Sequence, residues 1–195
     1  MILQPETDDL AAYLAADETI DHRHTELWRL AAELATPEAA FHHVRDHVAH
    51  SADAGAYSGA FRASEVLAAR NAICHGKSHL LAALLRAQGV PAGLCYQRLA
   101  DGEGGSALHA LNAVQPNGRW SRLDARGNRE GVDAQYDLQT ERLAWPVRPE
   151  LGERDYPGVF ATPPAPVLQA LVQAVPGRTG HGYLPSELPG TNTDG

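Results

Sequence analysis

The stretch CHGKSHLLAALLRAQGVPAGLCYQRL, residues 74–99, decides the fold. Leu80, Leu81, Leu84 and Leu85 recur at the helical period and predict a helix that starts near Cys74 and is buried on one side. Gly89 supplies a left-handed stop, and Pro91 prevents the helix from resuming. AGLCYQRL (92–99) reads as a strand and ADGEGGS (100–106) as a loop. LHALNAVQ (108–115) and RWSRLDA (119–125) read as two more strands joined through Asn117-Gly118, the strongest short hairpin signal. A central helix followed by an antiparallel sheet makes the chain α+β.

The hairpin fixes a register. With Asn117-Gly118 as a two-residue turn, Pro116 faces Arg119, Leu111 faces Asp124 and His109 faces Arg126. His109 and Asp124 are then diagonal neighbours on one face, ~7–8 Å apart at the backbone and within side-chain reach. A His–Asp hydrogen bond there would fix the imidazole tautomer and stabilise the imidazolium. The opposite face carries Leu108, Ala110, Asn112 and Val114 and is core-directed. Cys74 opens a helix, where the positive end of the helix dipole favours a thiolate. Taken singly, Cys74 reads equally as a small core residue and the His–Asp pair as a structural one. Together the three supply a nucleophile, a base and an orienting carboxylate.

Upstream, the chain reads helical. Leu10, Tyr13 and Leu14 form one amphipathic turn pair. Leu27, Leu30, Ala31 and Leu34 mark a helix ending near Thr36. Pro37 starts another, with Phe41, Val44 and Val48 on its buried side. SADAGAYSGA (51–60) reads as a loop, and Ser64–Arg70 as a short helix capped by Ser64. Downstream, a Pro-rich stretch runs to about residue 166, followed by a helix in VLQALVQA (167–174). There is no internal repeat. The expected organisation is one domain over 1–175, with a helical N-terminal part (1–60) and a core bearing the chemistry (61–130), then a Gly/Pro-rich tail over 176–195 that packs only if something holds it down.

The net charge of −8 argues against a nucleic-acid or anionic-membrane partner, since both need a basic face. No apolar run approaches the ~20 residues of a membrane span. MILQPETDDLAAYL lacks a basic region before its apolar residues, so a cytoplasmic location is expected. Cys74 and Cys95 are too few for a disulfide framework and are expected as free thiols, Cys95 as core filling in its strand. The oligomeric state has no signature in the sequence.

The run from Cys74 to Leu99, followed by LHALNAVQPNGRWSRLDARGN, resembles the transglutaminase-like superfamily. The shared pattern is a Cys opening a long helix, an LLRAxGIPA-like stretch (Leu84 to Ala92), a His-bearing strand, and a G-x-W-x-x-x-D stretch at Gly118, Trp120 and Asp124. ASEVLAAR (63–70) and DARGN (124–128) look like the small bacterial branch of that superfamily, and the likeness spans about residues 40–175. The chemistry of these residues leads to the expectation of a thiol acyl-transfer enzyme acting on an amide- or peptide-containing substrate without a cofactor; the resemblance implies a papain-like α+β fold, Cys74 as nucleophile, His109 as base and Asp124 as orienter. It does not imply which substrate, or whether water or an amine accepts the acyl group. A glycine commonly sits two residues before the family's Cys; here that position is Ala72.

Further residues bear on this chemistry. The oxyanion hole would use the Cys74 backbone N–H plus an upstream donor, with His50 and Tyr57 as candidates. A papain-type Gln is absent from 66–72. Lys77, the chain's single lysine, lies on nearly the same helix face as Cys74. It either supports the thiolate or a carbonyl over the site, or is a solvated or capping lysine. His75 and His79, and His43 and His47, have the i, i+4 spacing that can share a metal, but no HExxH or CxxC accompanies them. No metal site is therefore expected, and His43, His47 and His50 are expected on a helix surface. A non-catalytic binding module on the same fold and a His-based metal hydrolase are the rival classes. An arylamine N-acetyltransferase is nearer in mechanism, but no acetyl-CoA-binding extension is evident.

Overall fold

The computed structural model describes residues 1–173 and 183–188. In chain order the elements are β1 (Gln4–Pro5), a 3-10 turn (Leu10–Tyr13), α1 (Thr25–Leu34), α2 (Pro37–His47), β2 (Ala49–His50), α3 (Ser51–Ala54), α4 (Ala63–Ala69), β3 (Asn71–Ala72) and α5 (Cys74–Ala87). There follow β4 (Ala92–Ala100), β5 (Ser106–Val114), β6 (Ser121–Leu123), a 3-10 turn (Pro149–Leu151), β7 (Arg154–Asp155), β8 (Gly158–Val159) and α6 (Ala165–Val172). The main sheet is antiparallel in the order β6-β5-β4-β7. This is the expected α+β architecture. No helix among the described residues is long and apolar enough to cross a membrane.

Helix α5 is the axis of the molecule. One side packs on α1, α2 and α4, the other on β4 and β5. The leucine pattern predicts burial on one side, but every residue from Cys74 to Arg86 is buried. The leucines enter the core that α1, α2, α4 and the sheet share. The other faces are buried because their polar groups find backbone partners, as buried polar groups must. Arg86 donates to Ala92 O, to Ala15 O at 2.7 Å and to Ala161 O at 2.6 Å, tying three chain segments to the helix. Lys77 donates to Arg45 O and Val48 O, the carbonyls left open at the end of α2. It is a capping lysine, buried rather than solvated.

Close packing at the start of α5 requires Gly76. A Cβ there would sit 2.8 Å from Ala72 Cβ and 2.9 Å from Ala60 O. The glycine lets α5 start directly against β3 and the segment before α4.

The hairpin register is the one expected: Asn112 pairs with Leu123, Ala113 with Arg122 and Val114 with Ser121. Gly118 takes the left-handed conformation the turn needs (φ 77). Alternation follows. Leu94, Tyr96, Leu108, Ala110 and Val114 enter the core shared with α5, and Asn112 donates to Ser78 O of α5 at 2.9 Å. Cys95, Leu111 and Ala113 pack on the reverse face with Tyr13 and Val159.

Several local expectations fail. Residues 51–60 are not all loop: Ser51–Ala54 form a helical turn closed by Gly55 in the left-handed region. Ser64 is not an N-cap, because α4 begins at Ala63; the Ser64 N–H is taken by the Asp21 carboxylate at 3.0 Å. The Pro-rich stretch contributes β7 to the sheet edge, and β8 pairs with β1. The helix expected at 167–174 runs from Ala165 to Val172; residue 174 lies outside the described residues, as does the tail except 183–188. Those six residues lie against the body. Leu188 N–H donates to the Tyr156 hydroxyl at 3.1 Å, and Glu187 pairs with Arg154 at 2.7 Å.

Candidate active site

Cys74 is the first residue of α5, and Ile73 before it is extended. The Cys74 side chain is buried at the floor of a cleft of about 520 Å³, which His50, Leu108, His109 and Trp145 also line. His109 reaches this cleft from β5. Strand β6 ends at Leu123, so the edge of β5 opposite His109 is left uncovered by pairing. Asp124 is the first residue past that end.

The structure joins His109 and Asp124. His109 Nε2 lies 2.8 Å from Asp124 Oδ2, with both side chains buried. Asp124 is fully committed: Oδ2 also accepts from Ala144 N at 3.0 Å and Oδ1 from Arg126 N at 3.0 Å. Burial raises the Asp124 pKa, but the His109 charge and these hydrogen bonds outweigh it and hold the carboxyl below its usual range. The Asp124 bond uses Nε2, which leaves Nδ1 as the ring nitrogen free to serve the thiol. Trp145 packs edge-on against the imidazole, centroids 5.1 Å apart.

The thiol and the ring titrate as a pair. Burial would raise the Cys74 pKa. The charges of His75 and His109, with hydrogen bonding from His109 and His50, reverse this and hold it well below its usual range. For His109, burial lowers the pKa, but the Asp124 carboxylate and then the Cys74 thiolate raise it. Each partner favours the charged form of the other, which describes a thiolate–imidazolium pair. For Cys95, burial outweighs the Arg122 charge and pushes the thiol up to about 12.

One histidine falls differently from expectation. His50 is not on a helix surface. It is buried and lines the cleft. The cause is the pairing of β2 with β3, which sets His50 opposite Ala72, two residues before Cys74. Its Nδ1 accepts from Ala52 N at 3.3 Å, so Nε2 carries the ring proton. His75 is fully buried with Nδ1 3.4 Å from the Cys74 sulfur, a contact that no sequence pattern signals. His79 Nδ1 bonds instead to Phe61 O at 2.8 Å, so the i, i+4 imidazoles serve separate partners. Among the described residues, no group of three or more His, Cys, Asp or Glu is placed to hold a metal ion.

Tyr57, the other candidate donor, is partly buried against the core. Tyr183, from the tail, is near enough to Cys74 that the thiolate's charge adds to burial in raising its phenol pKa. The Lys77 ammonium bonds Arg45 O and Val48 O.

A model of the transglutaminase-like superfamily core matches residues 28–125, a span that contains Cys74, His109 and Asp124. The chain belongs to the transglutaminase-like superfamily. Among solved structures, a "Putative Cysteine Protease" from Cytophaga hutchinsonii superposes with a TM-score of 0.52 at 20% identity. The match covers 62% of this chain and 43% of that one, so this chain spans less than half the length of that relative. At this identity the likeness concerns the fold. No curated protein matches the chain.

Proposed function

We propose that this superfamily member is a thiol enzyme that cleaves or transfers an amide or peptide acyl group through Cys74, His109 and Asp124. The observation that carries the reading is the buried 2.8 Å His109–Asp124 bond beside a helix-start cysteine whose thiol is strongly acidified. The Cys74 thiolate attacks the carbonyl carbon of the substrate. The tetrahedral oxyanion is met by the Cys74 backbone N–H and the Nε2–H of His50. The C–N bond breaks as His109 delivers its proton to the leaving amine, and a thioester remains on Cys74. Water, deprotonated by His109, or a second amine then releases the acyl group. Asp124 holds the ring in the tautomer this needs. The cytochemical setting we propose is cytoplasmic, where both cysteines stay reduced.

The fold shared with a protein named a "Putative Cysteine Protease" favours hydrolysis of an amide bond over the binding-module reading. The test is a panel of amide, peptide and isopeptide substrates, run with wild type and Cys74→Ala. Wild type should turn over at least one class, and Cys74→Ala none, with its melting temperature little changed because the thiol borders a cleft rather than filling a core void. Turnover that survives Cys74→Ala but is lost on chelation would transfer the chemistry to the histidines and a metal.

A further inference from the structure

The wall of the cleft beyond His109 is basic although the chain carries a net charge of −8. The face of Trp145 carries the Arg126 guanidinium, 5.1 Å from the ring centroid, and the same ring stands nearly perpendicular to His109, centroids 5.1 Å apart. Arg126 therefore stands within about 10 Å of the imidazole, on the Trp145 side. Arg126 is 4% exposed and bonds Asp53 through both terminal nitrogens, with Nε left without a partner. Arg129 reaches the same carboxylate at 3.5 Å and is half exposed. The backbone of Arg129 is fixed by reciprocal hydrogen bonds with Val132 across a tight turn. Arg148, the third arginine of the wall, is neutralised by Glu153 at 2.6 Å. Two guanidinium groups thus share one carboxylate, and among the described residues one positive charge on the wall has no paired carboxylate. The neighbouring wall residues Leu99, Ala107, Leu108 and Pro146 are apolar and cannot solvate it.

Resting on the thiol-enzyme reading above, we propose that this wall is an anion subsite: the substrate carries a carboxylate on its leaving-amine side, read by Arg129 with Arg126 behind it. The side follows from the chemistry. His109 protonates the leaving nitrogen, so the leaving group extends on the His109 side of the thiol, where Trp145 and the arginines stand. The reach follows from Arg126, within about 10 Å of the imidazole, whose Asp53 partner Arg129 shares. One or two residues after the scissile nitrogen span ~3–7 Å, and a charge-assisted hydrogen bond adds about 3 Å. The substrate class is a peptide cut one or two residues before a free C-terminal carboxylate. The free amino acid or dipeptide leaves as the amine, and the acyl part remains on Cys74 until water releases it. A planar guanidinium suits this role because it binds a carboxylate through two parallel N–H donors.

The test uses N-(chloroacetyl)glycine and its uncharged amide, N-(chloroacetyl)glycinamide, which alkylate a thiolate and differ only in the carboxylate. Rates at Cys74 are read by intact mass and peptide mapping at pH 7 on the full chain. The acid should react faster than the amide by on the order of tenfold, the effect of one charge-assisted contact at a partly exposed site. Added salt should narrow this preference. Arg129→Ala should bring the ratio to about one, and Arg129→Glu should invert it, with melts confirming that both variants fold. Equal rates in wild type, or a preference that survives Arg129→Ala, would overturn the anion subsite and leave the thiol enzyme standing. If neither reagent marks Cys74 ahead of Cys95, the thiol-enzyme reading itself falls and takes the subsite with it.

Discussion

Replacing Asp124 by Asn removes one charge and almost no volume, so its effect isolates what the carboxylate does. Asp124 accepts three hydrogen bonds: Oδ2 from His109 and Ala144 N–H, Oδ1 from Arg126 N–H. Asn has one oxygen and one NH2. If its oxygen keeps the His109 side, the NH2 opposes the Arg126 N–H. If it flips, the NH2 opposes both Ala144 N–H and any proton on Nε2. At least one buried donor is left facing a donor in either case, each costing about 1–3 kcal/mol. The larger effect is on His109. An opposite charge in contact moves a pKa by about 1–3 units, so the imidazolium loses that much support and the ion pair with Cys74 is about 10–1000-fold less populated. A serine triad loses about 10⁴ in rate from the same change, and a thiol, already partly ionised, should lose less. The assay is the pH dependence of Cys74 alkylation in Asp124→Asn, beside a melting curve. The Cys74 titration should move upward while the fold persists. An unmoved Cys74 titration would mean that Asp124 does not act on the thiol through His109.

Two further outcomes concern stability. His79 is fully buried and held neutral, its pKa pushed down to about 4 mainly by burial. Between pH 6.5 and 4 the unfolded chain binds a proton at this site and the folded chain does not, so stability present above pH 6.5 is lost as pH falls toward 4, by about 3 kcal/mol. His79→Asn keeps a donor for Phe61 O and should show a shallower loss in urea unfolding across that window; an identical slope would refute the role of His79. Gly76→Ala should lower stability by about 1–2 kcal/mol, the clash with Ala72 Cβ and Ala60 O outweighing about 1 kcal/mol of helix propensity. A raised denaturation midpoint would show that α5 can move away from β3 at no cost.

The parts of this structure legible in the sequence are those set by local chemistry. Gly89 and Pro91 end α5 where expected, and Asn117-Gly118 fixes a register that carries His109 to Asp124. What escaped the sequence depends on contacts between distant segments. The two-residue strands β2 and β3 have no period to detect, yet their pairing draws His50 into the cleft. Trp145 sits in a Pro-rich stretch without periodicity and becomes the wall against His109. Lys77, His75, His79 and Arg86 look like the polar faces of an amphipathic helix. They are buried because carbonyls from α2, Phe61, Ala92 and Ala161, and the Cys74 sulfur, happen to meet them. The polar residues of α5 carry no local sign of these partners.

The proposed chemistry needs Cys74 to ionise far more readily than Cys95. Iodoacetamide labelling of the wild-type chain across pH 5 to 10, with peptide mapping of each site, measures that difference. The Cys74 rate should already be high at pH 6, change little toward neutrality, and far exceed that of Cys95, whose thiol is pushed up to about 12. A Cys74 rate that rises only near pH 9, or preferential labelling of Cys95, would contradict the thiolate–imidazolium pair and the chemistry proposed for it.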